Sequence, residues 1–350
     1  MEEFGDPRVL RIRRVDDPVP GSGQVLVAVE FASITFVETQ VRAGGGPAFP
    51  RRPALPRVPG NGVGGRIVAT GPDVDPALVG TVVVTTTGGE GGYAELALAG
   101  AGDIVPVPEG LGLGDAVALL ADGRTAVGLH ARAEVKPGEW VLVEAAGGGV
   151  GSLLVQLAAG AGARVIGAAG GPEKEGLIKS LGASAYVDYS RPGWARQVVE
   201  ATGGTGVDLV FDGVGGDIGT EALTALREGG RVSVHGMASG SWSRIGGGTG
   251  GTGGADRIGG AGGADRTGGT GGADRIGGAG ETGARSITVV AGKVAPTPAE
   301  LRALTVEALA LAVAGRLRPT IGQTFPLAEA AAAHRAIENR QTVGKTLLVP

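Results

Sequence analysis

One run of small residues carries the clearest chemistry in the chain. Residues 140–145 read Trp-Val-Leu-Val-Glu-Ala, an apolar stretch with the character of a buried strand. Residues 145–151 continue as Ala-Ala-Gly-Gly-Gly-Val-Gly, and a helix-like apolar segment spans 150–161. In the frame G-x-G-x-x-G, the small positions are Ala146, Gly148 and Gly151, with alanine in the first place. Small residues let the backbone turn tightly and approach a pyrophosphate, whose charge the following helix N-terminus meets. Such a run is weak on its own in a glycine-rich chain. Its place after a strand and before a helix is what points to dinucleotide binding.

The end of the next strand separates the two common dinucleotides. Sites for NADH usually put an Asp or Glu there to accept from the ribose 2′-hydroxyl. Residues 166–174 read Ile-Gly-Ala-Ala-Gly-Gly-Pro-Glu-Lys, with no acid at the strand end. Lys174 falls in the first turn of the following helix, where it could meet a 2′-phosphate. Glu173 is adjacent and is expected to point elsewhere on that helix. The pattern therefore favours NADPH over NADH.

Composition narrows the rest. The 350 residues include no cysteine, which excludes disulfides, thiolate zinc sites, iron–sulfur clusters and a cysteine nucleophile. It also suits a cytoplasmic protein. The net charge is −4 and no Lys/Arg block stands out, so nothing argues for nucleic acid. The N-terminus lacks the basic and apolar regions of a secretory signal. The uncharged run 145–163 approaches spanning length, but its glycines fit strand, turn and buried helix better than a membrane span.

The elements that must hold these residues divide in two. The first 115 residues are short alternating runs broken by Gly and Pro, such as Val25–Phe31, Gly65–Thr70, Thr81–Thr87 and Ala94–Leu98, which predict an all-β lobe. From Ala116 strands alternate with helices. Strands are expected at 140–145, 164–168, 185–187, 208–212 and 231–236, with helices at 116–133, 150–161, 173–181, 194–202 and 218–226. That rhythm predicts an α/β fold with a doubly wound parallel sheet. A strand at 286–291, helices at 298–315 and 327–340, and a closing strand at 346–349 complete the reading.

Glycine makes up 70 of the 350 residues, and 19 of them fall in the 42 residues from Arg244 to Arg285. There Gly-Gly-Ala-Asp-Arg recurs every nine residues, around Ala255, Ala264 and Ala273. Calcium-binding β-rolls also repeat every nine residues. Here the Asp is out of frame for that motif and an Arg follows each one. A segment so poor in burial surface cannot offset its ordering entropy, so 244–285 reads as a disordered insertion.

Taken together, these parts resemble the medium-chain dehydrogenase/reductase superfamily, and more closely its zinc-independent NADPH:quinone oxidoreductase (zeta-crystallin-like) branch. The stretches that carry the likeness are Asp17–Gly44, Gly91–Leu111, Asp122–His130, Val135–Gly151, Gly229–Gly240 and Gly315–His334. The resemblance implies a GroES-like β-rich catalytic domain at 1–121 and 293–350, and a Rossmann NADPH-binding domain at 122–292. It implies cofactor contacts at Gly147, Gly148, Gly149 and Val150, and around Thr125. Gly170, Lys174 and Tyr189 match positions that hold the 2′-phosphate. Gly213 and Val214 lie by the adenosine side, Gly236 and Met237 by the nicotinamide, and Lys345 matches a basic position near the cofactor. It further implies a homodimer formed through the strand at 286–290.

Two departures bear on mechanism. Where zinc enzymes carry a cysteine and a Gly-His-Glu motif, this chain reads Pro59-Gly60-Asn61-Gly62, so no metal is expected. Thr35 stands where the branch usually has Asn, and Gln40 where a Tyr is common. Thr35 and Thr125 are then the candidate groups for the oxygen of a small conjugated acceptor, a quinone or enone. An enoyl thioester or biosynthetic intermediate is the alternative acceptor. A non-catalytic NADPH-binding protein is the alternative of another class.

Overall fold

The computed structural model describes residues 1–45, 52–245, 287–290 and 296–350. The glycine-rich stretch lies outside them from residue 246 onward. In chain order the elements begin β1 (Gln24–Ile34), α1 (Phe36–Ala43), β2 (Gly62–Thr70), β3 (Val82–Thr86), β4 (Leu96–Gly100), β5 (Val105–Pro106) and α2 (Leu113–Ala133). They continue with β6 (Trp140–Val143), α3 (Gly149–Gly160), β7 (Arg164–Ala169), α4 (Glu175–Ser180), β8 (Ala185–Asp188), α5 (Trp194–Ala201), β9 (Val207–Asp212), α6 (Gly216–Ala222) and β10 (Leu226–Val234). The chain closes with β11 (Thr288–Val289), α7 (Pro298–Val313), β12 (Ile321–Pro326), α8 (Ala330–Glu338) and β13 (Lys345–Val349).

These elements form two compact units. One comprises Met1–Gly128, Gly148–Leu153 and Pro298–Pro350. Its sheet runs β12-β13-β1-β2-β3-β5, with β4 also paired to β1. All its pairings are antiparallel except β12 with β13. Alternate residues of β1 point inward, so Val25, Val27 and Val29 are buried, and after a register shift between Val29 and Phe31 burial resumes at Ala32. The β2 strand must run close to β1: a Cβ on Gly65 would collide with the Ala28 carbonyl.

The first 115 residues are not the all-β run that their alternation predicts, because α1 interrupts them. Thr35 and Glu38 form a capping box that starts α1, and Gly44 ends it with φ 109°. Buried Arg42 on α1 pairs with Glu338 of α8 and donates to the Gly5 carbonyl at 2.6 Å.

The other unit comprises Leu129–Gly147 and Leu154–Thr297. Its sheet is parallel throughout, in the order β11-β10-β9-β6-β7-β8. A continuous apolar strand such as β6 fits a sheet covered on both faces. Leu142, Ile166, Trp194, Val198, Val210 and Leu226 belong to one buried cluster. The strand order reverses between β6 and β9, and open α/β sheets bind ligands beyond the carboxyl ends of the strands at such a point. Among the described residues no helix is long and apolar enough to cross a membrane.

Candidate dinucleotide site

The reversal point carries two buried carboxyl groups. Glu144 follows β6 and Asp212 ends β9, and both have no exposed surface. The Val214 N–H donates to both, at 3.2 Å to Glu144 Oε2 and 3.1 Å to Asp212 Oδ1. Gly215 N–H donates to Asp212 at 2.8 Å, and the Ser243 hydroxyl donates to its other oxygen. Burial, and then the Asp212 charge, push the Glu144 carboxyl well above the usual carboxylate range. Both causes favour the protonated form of Glu144, while Asp212 accepts from the N–H groups of Val214 and Gly215.

The turns at these strand ends are packed backbone to backbone. A Cβ on Gly236 would collide with the Gly213 carbonyl. The His235 ring lies against Gly213, its Nε2 2.9 Å from where a Cβ there would stand. Burial holds that imidazole below its ordinary pKa. Val214 and Met237 are buried beside these glycines. Gly213, Val214, Gly236 and Met237 thus form one paired-turn structure.

In the same unit, the end of β7 carries the groups expected to read the adenosine ribose. The Lys174 stem covers Gly147, with Cδ 3.2 Å from the place of a Cβ on that glycine. The Tyr189 ring comes to 3.3 Å of the corresponding point on Gly170. Asp188 ties this corner together, accepting from the N–H of Gly171 at 3.2 Å and the N–H and hydroxyl of Ser190 at 3.0 and 2.6 Å. Glu173 points elsewhere than Lys174. Pro172–Lys174 is a 3-10 turn that precedes α4, and it folds the Glu173 carboxylate back over Gly171, where any Cβ would collide with both oxygens.

The other unit holds the remainder of the glycine turn. Gly148 pairs with Gly344, and α3 starts at Gly149. A Cβ on Gly149 would collide with the Asp122 carboxylate. Asp122 accepts from buried Lys345 Nζ at 3.1 Å, so Lys345 and Gly149 meet through Asp122. Val150 opens the first turn of α3. Within the parallel-sheet unit a lysine, 174, lies over Gly147, and within the other unit Lys345 is ion-paired with Asp122.

The two candidate threonines have their hydrogens engaged. Thr125 donates to the Ala121 carbonyl at 2.7 Å, one turn back in α2. Thr35 donates to Glu38 Oε2 at 3.0 Å, which also accepts from the Thr35 N–H at 2.6 Å. Glu38 Oε1 accepts from the Asn61 N–H at 2.8 Å. Burial raises the Glu38 carboxyl, against the pull of these donors and of Lys345. No hydrogen bond joins Thr35 to Thr125 among the described residues. Tyr93, whose pKa burial and the Glu38 charge raise well above its ordinary value, meets His334 Nε2 at 3.0 Å.

Sequence reasoning assigned no role to Glu38, Tyr93, Asp122, Glu144 or His334. Glu144 had a readable signal, an acid inside an apolar strand. The pairing of Asp122 with Lys345 spans 223 positions and had none.

The Alcohol dehydrogenase GroES-like domain model matches residues 21–109, and the Zinc-binding dehydrogenase model matches 149–245. A zinc ion does not fit this chain: it has no cysteine, and no group of three or more His, Asp or Glu gathers among the described residues. A quinone oxidoreductase of Pseudomonas aeruginosa is 32% identical over 99% of this chain and 97% of that protein. A 2-haloacrylate reductase of a Burkholderia species is 33% identical over 95% and 92%. A mycobacterial protein solved in complex with NADPH superposes with a TM-score of 0.80 at 31% identity, covering 100% of this chain and 98% of that one. With both family models in place and a relative matched almost end to end, this chain belongs to the medium-chain dehydrogenase/reductase superfamily, in its quinone oxidoreductase branch.

Proposed function

We infer that the protein is an NADPH-dependent oxidoreductase that reduces a conjugated acceptor, a quinone or an electron-poor alkene, without zinc. The observation that carries this is the Rossmann reversal point with its glycine turn, together with Lys174 packed on Gly147. Bound NADPH supplies the hydride. Relatives that act on a quinone and on 2-haloacrylate support an acceptor with a double bond conjugated to an electron-withdrawing group.

The chain's own residues bind and orient. Gly147, Gly148, Gly149 and Val150 let backbone N–H groups approach a pyrophosphate at the start of α3. Lys174, Tyr189 and Gly170 hold the 2′-phosphate. Asp122 fixes Lys345 and occupies the space over Gly149, which sets the shape of the turn. Gly213, Val214, Gly236 and Met237 shape the floor at the strand ends.

Thr35 and Thr125 are assigned to the acceptor's oxygen. Each hydroxyl now donates inside the protein, so its hydrogen must be released before it can serve that oxygen. When Glu38 is protonated it donates to Thr35 Oγ1, which frees the threonine hydrogen for that oxygen. An acceptor whose reduced form solvent can protonate needs no more than this, which favours quinones and activated alkenes.

The working form is a homodimer in the cytoplasm. Among the described residues strand β11 is an edge of the parallel sheet and offers backbone groups for pairing with a second copy. Light scattering at twice the 34.4 kDa of one chain tests this, and a monomer refutes it. Cell fractionation tests the location. The test of function is NADPH oxidation across a panel of quinones, enones, 2-haloacrylates and enoyl thioesters. Turnover with quinones or activated alkenes is expected. Turnover with enoyl thioesters alone contradicts the acceptor class, and NADPH binding with no oxidation contradicts an enzyme.

A further inference from the structure

We propose that Glu173 is a cofactor-selectivity residue that lets this site take NADH as well as NADPH. The proposal rests on the dinucleotide reading above.

Two side chains of opposite charge flank the end of β7. The Lys174 stem lies over Gly147, with Cβ and Cγ 3.6 Å and Cδ 3.2 Å from the place of a Cβ there. The neighbouring Glu173 carboxylate lies over Gly171, which can only be glycine with those oxygens in place and its φ at 90°. A solvated helix acid would extend away from the backbone. This one, although exposed, leaves the 3-10 turn at Pro172–Lys174 and folds back over Gly171.

The floor beneath it is well held. Tyr186 donates to the carbonyls of Ala169 and Gly171 at 3.1 and 2.6 Å, and Asp188 accepts from the Gly171 N–H. The Tyr186 phenol is pushed up to about 12 by burial and then by the Asp188 and Glu173 charges, so the carboxylate acts on this corner.

A carboxylate beyond this strand end is the group that accepts from a ribose 2′-hydroxyl. The same carboxylate repels a 2′-phosphate, which carries nearly two negative charges at neutral pH. Lys174 attracts that phosphate and is indifferent to a hydroxyl. The two adjacent residues therefore pull in opposite directions. Glu173 supports NADH and weakens NADPH, while Lys174 supports NADPH.

The test measures dissociation constants of NADPH and NADH by nucleotide fluorescence, for the wild type, Glu173→Gln and Lys174→Met. The wild type is expected to bind both, NADPH more tightly. Glu173→Gln should tighten NADPH and loosen NADH, shifting their ratio roughly tenfold, and the shift should shrink at high salt. Lys174→Met should weaken NADPH and leave NADH nearly unchanged. An NADPH-binding wild type whose ratio Glu173→Gln leaves unchanged overturns the proposal, as does a wild type that binds NADPH and not NADH. A wild type that binds neither nucleotide refutes the dinucleotide reading itself.

Discussion

Replacing Glu144 by glutamine should stabilise the unit built on the parallel sheet, and increasingly so as pH rises. Glu144 is fully buried beside Asp212, and burial and that neighbour's charge raise its carboxyl well above the ordinary value. In the unfolded chain it ionises near its ordinary pKa of about 4.3. Above that pH the folded state holds a proton the unfolded state has released, so stability falls as pH rises. The slope is about 1.4 kcal/mol per pH unit and ends where the folded group itself titrates. While the group stays protonated, three pH units cost about 4 kcal/mol.

The carboxamide introduced by Glu144→Gln keeps an acceptor for the Val214 N–H and a hydrogen toward Asp212, and it does not titrate. Wild type and Glu144→Gln should therefore be closest near pH 5 and diverge as pH rises, the variant gaining at most about 1.4 kcal/mol per pH unit. Urea unfolding followed by tryptophan fluorescence reads the right unit, because Trp140, Trp194 and Trp242 all lie in it. Parallel pH dependences for the two proteins, or a variant less stable at both pH values, would show that Glu144 does not carry a buried proton.

Three further outcomes are expected. His334 is held down to about 3 by burial and then by the Arg42 charge, so its stabilising effect is present above about 6.5 and lost as pH falls toward 3; an acid titration of His334→Gln should be flatter than that of the wild type. Tyr93→Phe leaves the buried His334 Nε2 without its partner and should cost about 1–3 kcal/mol in chemical denaturation. Gly149→Ala drives a methyl into the Asp122 carboxylate, so its NADPH dissociation constant should rise by about tenfold or more while its circular dichroism stays native; unchanged affinity would remove Gly149 and the Asp122–Lys345 pair from the binding turn.

The parallel sheet was legible because its strands are continuous apolar runs separated by helices, and the glycine turn because it sits between two of them. Helix α1 was passed over among β-like runs, although Thr35-Phe-Val-Glu38 is a capping-box pattern. Strand β12 was hidden by Gln323, a polar residue at a half-buried position of an alternating strand. Its amide donates to the Val343 and Lys345 carbonyls at 3.3 Å, a partnership that no local pattern reveals. The 3-10 turn at Pro172–Lys174 is not legible in the sequence, where residues 173–181 read as one regular helix. Glu38 is visible as a residue but not as a half-buried carboxylate, since its partners Asn61 and Lys345 come from distant parts of the chain.

The central claim is hydride transfer from NADPH to a conjugated acceptor. It is tested most directly by reducing an activated enone with NADPH carrying deuterium at the transferred C4 position and reading the product by mass spectrometry. The account predicts catalytic turnover with one deuterium on the β-carbon of the product. A product without that deuterium, or bound NADPH that no conjugated acceptor oxidises, would contradict it.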